Sequence, residues 1–584
     1  MHDCAHPKTI VHARAGRLPD TLQVPGRPWT VVRWTARLPS RPQFAVALWL
    51  LMPAGCLVGP NYKPPEPQMP DAWHEAATRG LAEGQSSVQT WWTVLKDPVL
   101  NDLIERSYAG NWRVKEAIAR IREARAARGI ATGELFPAIH GVGEYQRARV
   151  SENGLQAPPR TVSPADQLAS QVGKGLVSQA VANATGIPFT VTTGALGLIP
   201  PPTHSVAPDQ TNLSTLGFDA SWEIDVFGGI RRNIESADAS LQASIEVYRD
   251  VLVTLCSEVA LNYVEVRTLQ ARLAYARANV DRQRKTLELV RNRFKTGLAP
   301  QLDVAQAESN LANSESDIPP LEAGLVQAVN RLGVLLGQLP SSLHEELART
   351  APIPVPPADV AVGLPADLLR QRPDIRRAER ELAALTAQIG VATADLYPRF
   401  SLSGRFVLQG TDVRNLGNID SRAWSFGPAM RWNLFDGVRN VYRVKAAEAA
   451  TEQAAARYEQ TVLRALQEVE DAMVAYKNEQ ARRDALARAT MASRQAVGLV
   501  QNLYQNGLTD FQNVLDTERT LFQQEDRLAF SEGQVTRNLI AVYKALGGGW
   551  SPDTPDVMPP VAKAARPAGS ASDIGAPATR PSGS

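Results

Sequence analysis

The chain has 584 residues, 44% of them hydrophobic and 21% charged, which is enough for several domains or one very elongated one. Its formal charge of +2 hides an asymmetry: residues 1–55 carry seven Lys/Arg against two Asp/Glu, leaving 55 basic against 58 acidic residues from Cys56 onward, a net of −3. That balance offers no basic surface for nucleic acid, and three cysteines (Cys4, Cys56 and Cys256) make neither a disulfide framework nor a zinc cluster.

The N-terminus reads as an export signal. Arg33, Arg37 and Arg41 precede the apolar run 44–52, which ends in Pro53-Ala54-Gly55-Cys56. A basic flank, a short apolar core and small residues before the cut define such a signal, and the run is too short to span a bilayer. A cysteine directly after Ala-Gly suggests lipoprotein processing, with Cys56 as the acylated first residue; an ordinary signal with an incidental cysteine is the alternative. Pro53 stands where lipoprotein signals usually carry leucine. Residues 1–55 are therefore read as leader and 56–96 as a proline-rich, extended tether.

Helical periodicity begins near Asp97 and is strong over 111–129. After Leu135-Phe136-Pro137 the period changes. Leu216, Phe218, Ala220, Trp222, Ile224 and Val226 alternate with polar or small residues, the pattern of a strand with one apolar face. The same alternation marks 400–409 and 424–434, the latter with Trp424, Phe426, Met430, Trp432 and Leu434 on one side, and more weakly 139–150. This predicts four strands in two pairs.

Between the pairs, residues 230–296 contain neither Gly nor Pro, roughly 100 Å of helix at 1.5 Å per residue. Apolar residues step 4-3-4-3 through Leu241, Ile245, Tyr248, Leu252, Leu255 and Val259 and on to Phe294, interrupted at Asn262 and Gln283. A period of 3.5 means coiled-coil packing. Residues 438–506 repeat that length.

The repeat is the organising feature. Residues 291–315 match 501–525 at a spacing of 210: Gly297 with Gly507, Leu298 with Leu508, Val304 with Val514, Glu308 with Glu518, Leu311 with Leu521. Each copy reads as a helix closed by a left-handed glycine and restarted within a few residues, with Pro300 suited to the first turn of the restart. The correspondence extends to Trp222…Gly228-Gly229 with Trp432…Asp436-Gly437, and to 131–137 with 392–398. The organisation is thus a first repeat over 97–336 (helix, two strands, long helix, tip, helix), a Pro-rich connector over 337–365, a second repeat over 366–550, and a Pro/Ala/Ser/Gly tail over 551–584 that cannot bury a core. The loop 151–211 lengthens the first repeat.

Four amphipathic strands cannot close a barrel, since the smallest filled barrels need about eight. No segment after Cys56 is apolar for long enough to be a membrane helix. A secreted chain with one-sided strands reaches a membrane as a β-barrel, and closure then requires several subunits.

On these residues the chain resembles the outer-membrane factors of tripartite export pumps, the TolC-like channels, and most closely their lipoprotein, NodT-type branch. The specific pieces are Cys56-Leu-Val-Gly-Pro-Asn-Tyr-Lys-Pro-Pro65, Arg372-Pro373-Asp374-Ile375, the Gly228-Gly229 and Asp436-Gly437 strand exits, and the two tips, all within 56–550. The resemblance implies an α+β membrane protein: a homotrimer whose twelve-stranded barrel, four strands per chain, crosses the bacterial outer membrane and continues as a coiled-coil tube across the periplasm. It implies an efflux channel of RND type, docked on a periplasmic adaptor (membrane fusion protein) and an inner-membrane transporter, with lipid on Cys56 and no other cofactor, metal or catalytic residue. It further implies a gate at the periplasmic end formed by a tyrosine before the tip glycine and acidic residues after it. The matching positions are Tyr504 and Asp516, with Arg519 one turn on; Asp303 occupies in the first copy the place of Asn513, where the family often has an acid. Asp516 and Arg519 at i, i+3 are equally an ordinary surface pair. Gly297-Leu298 and Gly507-Leu508 are the expected adaptor-docking tips.

Other candidates fade. His74, His140, His204 and His344 lack ligand spacing, no Ser/His/Asp or phosphate-loop pattern is present, and Gly547-Gly548-Gly549 reads as a helix stop. Cys256 reads as a packing residue and Trp91-Trp92 as anchors of the helical layer. The rival classes are a structural coiled-coil surface lipoprotein, which leaves the strand pairs unexplained, a periplasmic adaptor, which would carry lipoyl-like modules, and a type I secretion channel.

Overall fold

The computed structural model describes residues 56–74, 81–82, 88–149, 210–357, 360–361 and 363–551. The expected leader, all of the long loop but Gln210 and Thr211, and all of the tail but Ser551 lie outside them.

Helix α1 (Pro98–Gly110) starts where the periodicity does. Asp97 caps it, its Oδ1 accepting from the N–H groups of Val99 and Leu100, with Pro98 in the first turn. Asn111 caps α2 (Trp112–Gly133) in the same way. Strands β1 (Ala138–Arg149) and β2 (Gln210–Ile224) follow, then the 67-residue helix α3 (Gly229–Lys295). After the first tip come α4 (Gln301–Ser316) and α5 (Ile318–Leu335), two helices where the sequence suggested one. Pro319 and Pro320, which lack N–H donors, break the run beside Asp317. Pro300 sits at the cap of α4, one residue before the first turn. The second half runs α6 (Pro373–Ala394), β3 (Arg399–Gly410), β4 (Arg422–Arg431), α7 (Arg439–Gln505, again 67 residues) and the unbroken α8 (Phe511–Ala545).

The strands form one antiparallel sheet in the order β1-β2-β3-β4, not two separate pairs. Leu216 pairs with Leu408, Phe218 with Phe406, and Phe406 with Trp424, so the apolar positions of every strand fall on one face. That face is uncovered: Leu216, Phe218, Phe406, Trp424, Phe426 and Met430 are all exposed. His140, Asp219, Arg405 and Ser425 form a polar row across the opposite face. The last pair of β3 and β4 is Arg399 with Arg431, so Trp432 and Leu434 continue the alternation beyond the strand. Trp432 and its counterpart Trp222 instead donate their indole N–H to Leu396 O (3.1 Å) and Leu135 O (2.8 Å), tying strand ends to helix ends.

Helix α3 is the axis of the helical layer, packed against α1, α2, α4, α5, α6 and α8, whereas α7 packs along its length against α6 and α8. The difference shows in burial. The expected seam of α3 is buried from Leu252 to Val290, with Ile245 and Tyr248 half-covered and Phe294 exposed at the end. On α7 a single stripe is buried, Tyr458, Val462, Ala465, Val469, Ala472 and Tyr476, at the same 4-3 spacing. The main core gathers around the middle of α3 and the connector, where Trp91 stacks on Tyr543 (5.3 Å) and Trp92 meets Tyr108 edge-on (6.2 Å). Cys256 lies fully buried there, and burial pushes its thiol up. Gly547 ends α8 at φ +79°, the helix stop the glycine run suggested. Arg372 of the Arg-Pro-Asp-Ile motif forks onto Asp374 and donates to Ala545 O (2.8 Å), so that motif locks the start of α6 to the end of α8.

The segment after Cys56 is seated on the helices. Arg232, 1% exposed, donates to Val58 O (3.0 Å), Gly59 O (3.1 Å) and Asn61 Oδ1 (2.8 Å), and Val58 N–H donates to Phe227 O (3.2 Å). Gly59, at φ +85°, lies so close to Gly390 that a Cβ would come within 2.4 Å of its Cα. The Val-Gly-Pro-Asn signature is therefore a fit to a groove between α3 and α6.

Candidate functional site

Both long helices end on left-handed glycine, Gly297 at φ +74° and Gly507 at φ +75°. The N–H of Gly297 donates to Phe294 O and that of Gly507 to Tyr504 O, both at 2.9 Å. Leu298 N–H then reaches back to Arg293 O (2.8 Å), and Leu508 N–H to Leu503 O (2.9 Å). This pair of bonds satisfies carbonyls that a helix end leaves open. A Cβ on Gly297 would meet nothing within 4 Å, and one on Gly507 only Arg293 Nη2 at 3.9 Å, so the backbone angle, not space, requires glycine. Leu298 and Leu508 are 67% and 72% exposed.

Above the tips the two hairpins use equivalent positions to hold their arms together. Arg291 donates to Glu308 (2.6 Å) in the first and Gln501 to Glu518 (2.8 Å) in the second; Arg284 pairs with Glu315 (3.2 Å) and Arg494 with Glu525 (3.0 Å). Their surroundings differ. Glu308 and Glu315 are about half exposed, while Glu518 is fully buried and Glu525 nearly so. Burial follows from α3, which supplies Thr286 to Glu518 (2.8 Å) and Arg282 to Glu525 (2.9 Å).

The expected gate residues divide into two groups. Tyr504 is 4% exposed in a small apolar cluster with Leu287, Val290, Ala307, Phe511, Val514 and Leu515. Its ring tilts against Phe511 (5.5 Å) and its buried Oη has no hydrogen-bond partner. Burial pushes its phenol up, the Asp303 carboxylate adds to this, and Arg293 opposes it. Asp303, in the first turn of α4, is pushed up by burial and by Asp510, against the pull of Arg293. Asp516, Arg519 and Asn513 lie outside that cluster. Asp516 accepts from Gln512 (3.2 Å) and stands 3.9 Å from Arg519, both side chains more than half exposed; Arg519 also donates to Asn310 (3.3 Å), and Asn513 to Thr509 (2.9 Å). Within one chain, then, Asp516 and Arg519 form an exposed i, i+3 pair of small energetic weight.

The residue that sequence reasoning missed is Arg293. Its Nη1 donates to Tyr504 O (2.8 Å) and Gln505 O (3.0 Å), and its guanidinium lies 4.7 Å from the Tyr504 ring centroid. In the second copy the same position is Leu503, so the repeat itself conceals the role; an unmatched arginine four residues before a tip glycine was the available signal. Among the described residues no His/Cys/Asp/Glu group is arranged to hold a metal ion, and no helix is long and apolar enough to cross a membrane.

The profile described as outer membrane efflux protein matches residues 103–338 and 364–548. Nodulation protein T of Rhizobium leguminosarum bv. trifolii is 31% identical over 512 residues, 87% of this chain and 98% of its own. The solvent efflux pump outer membrane protein SrpC of Pseudomonas putida is 28% identical over 519 residues, 88% of this chain and 98% of its own. The solved outer-membrane channel OprN superposes with a TM-score of 0.71 at 33% identity, covering 85% of this chain and all of that one.

Proposed function

Because the chain belongs to the outer membrane efflux protein family, we propose that it is the outer-membrane channel subunit of a tripartite, RND-type efflux system, acting as a homotrimer gated at its periplasmic end. The observation that carries this reading is the sheet: four strands, one face apolar and uncovered, and, among the described residues, no partner strand on the outer sides of β1 and β4. An uncovered apolar sheet with open edges is unstable in water and in lipid unless it closes. Three copies give a twelve-stranded barrel with the aromatic face toward lipid and the His140–Asp219–Arg405 row toward the lumen. Leu463, Met491, Leu499 and Leu503, exposed along the sparsely covered α7, supply apolar surface for neighbouring subunits in the helical tube.

The parts divide as a leader (1–55), a lipidated tether (56–96), two repeats from one duplicated template (97–336 and 366–550), the connector between them, and a tail (551–584). Cys56 carries the lipid. It is exposed and lies two residues before Val58, which is bonded just past the end of β2, so acyl chains there enter the membrane beside the barrel rim. The adaptor grips the Gly297-Leu298 and Gly507-Leu508 bends, and cargo is selected by the inner-membrane transporter. The protein is a conduit, not an enzyme.

The primary test is the oligomer: outer-membrane fractions should contain a detergent-extractable, heat-modifiable trimer, and a monomer in the soluble fraction would overturn the reading. Mass spectrometry should find the mature chain beginning at an acylated Cys56; an unmodified start elsewhere removes the lipid. Valine at Gly297 and Gly507 forces a Cβ into the left-handed region at about 1–2 kcal/mol per site. Export should fall to background while trimers persist in the membrane, and normal export in both variants would refute docking at the tips.

A further inference from the structure

One guanidinium joins the ends of the two long helices. Arg293 belongs to the last turn of α3, yet its Nη1 hydrogen bonds go to Tyr504 O and Gln505 O at the end of α7, 2.8 Å and 3.0 Å away. Those carbonyls are the negative end of the α7 dipole, where a cation is favoured. Its face lies over the Tyr504 ring, its Nη2 is 3.9 Å from where a Gly507 Cβ would be, and its buried Nε has no partner. The restarts contribute acids: Asp303 in the first turn of α4 feels both Arg293 and Asp510, the residue capping α8. Leu503, the counterpart of Arg293, has an aliphatic side chain and returns no such bond.

We propose that Arg293 is the positioning residue that couples the two tips: it holds the second hairpin to the first inside each subunit, and opening requires it to release the Tyr504 and Gln505 carbonyls. This rests on the gating reading above and relocates its main constraint, from the exposed Asp516–Arg519 pair to a half-buried contact within the chain. The energetic ordering supports the move. A charge-assisted hydrogen bond partly shielded from water, reinforced by a cation over an aromatic ring, is worth more than an exposed ion pair at 3.9 Å. Tyr504 then acts through its ring and its backbone carbonyl, since among the described residues its hydroxyl has no hydrogen-bond partner.

The test uses purified full-length trimers with two readouts. Single-channel recording in planar bilayers reports opening. Spin labels at Leu298→Cys and Leu508→Cys report the distance between tips. Arg293→Met should raise the open-to-closed ratio roughly tenfold or more, the scale of one lost charge-assisted hydrogen bond, and should broaden the inter-tip distances. Arg293→Lys, which keeps the charge but not the fork, should fall between. Unchanged inter-tip distances in Arg293→Met overturn the proposal, and so does loss of the trimer, which would make Arg293 a folding residue. The Asp516→Ala/Tyr504→Phe double variant separates the two ideas. If it and Arg293→Met both leave conductance at wild type while the tips loosen, the coupling stands and the gating reading fails; if the double variant alone opens the channel, the gate stands and Arg293 does not hold it.

Discussion

Replacing Glu525 by alanine is expected to destabilise the helical layer by about 3 kcal/mol per subunit, the low end for breaking a buried ion pair. Its carboxylate is nearly inaccessible, with Arg282 on Oε2 at 2.9 Å and Arg494 on Oε1 at 3.0 Å, so α8 is clamped to α3 and α7 at one point. Truncation leaves Arg282 partly enclosed without its counter-charge; Arg494, half exposed, recovers water, which sets the estimate low. The repeat supplies an internal control. Glu315 stands at the equivalent position and pairs with Arg284, the equivalent arginine, but both are about half exposed. Glu315→Ala should therefore cost no more than about 0.5 kcal/mol. The dissociation temperature of the proposed trimer in detergent should fall markedly for Glu525→Ala and stay near wild type for Glu315→Ala. Equal losses would show that burial does not distinguish the copies.

That contrast also marks what the sequence could and could not convey. The long helices were legible almost to the residue, because 67 residues without proline and with a 3.5 period have no other packed conformation. The strands were legible through alternation, whose overrun at Trp432 and Leu434 arose because alternation persists where the partner strand has ended. The tips were legible because a left-handed turn needs glycine. What alignment of the two copies hides is their inequivalence in space: α3 packs against six helices, among them α8 of the second hairpin, and α7 against two, so equivalent pairs become buried in the second hairpin and stay exposed in the first. The candidate gate suffered from the same blindness. Asp516 and Arg519 are near in sequence and do pair, whereas Arg293 meets Tyr504 across 211 positions, through a backbone carbonyl that no side-chain pattern records.

The membrane reading has the largest expected effect of all. Phe406 lies in the middle of the apolar face, flanked across the ladder by Phe218 and Trp424, and is 49% exposed with no helix over it. If that face meets lipid, Phe406→Lys places a charge near the bilayer midplane at about 2–4 kcal/mol per subunit, and threefold repetition raises this to about 6–12 kcal/mol per trimer. Assembled, heat-modifiable trimer in the outer membrane should then nearly vanish, with unassembled chain degraded in the periplasm. The matched control is Ser403→Lys, which sits on the opposite face of the same strand between Ser221 and Gly427. There a lysine faces the proposed aqueous lumen, so trimers should form at wild-type levels and only the ion preference of the channel should shift. A soluble protein whose aromatic face stays open to water predicts a different pair of results: that face would tolerate lysine as well as the polar face does, since neither would meet hydrocarbon. Three residues apart on one β-strand, the two substitutions thus separate a lipid-facing sheet from a merely uncovered one.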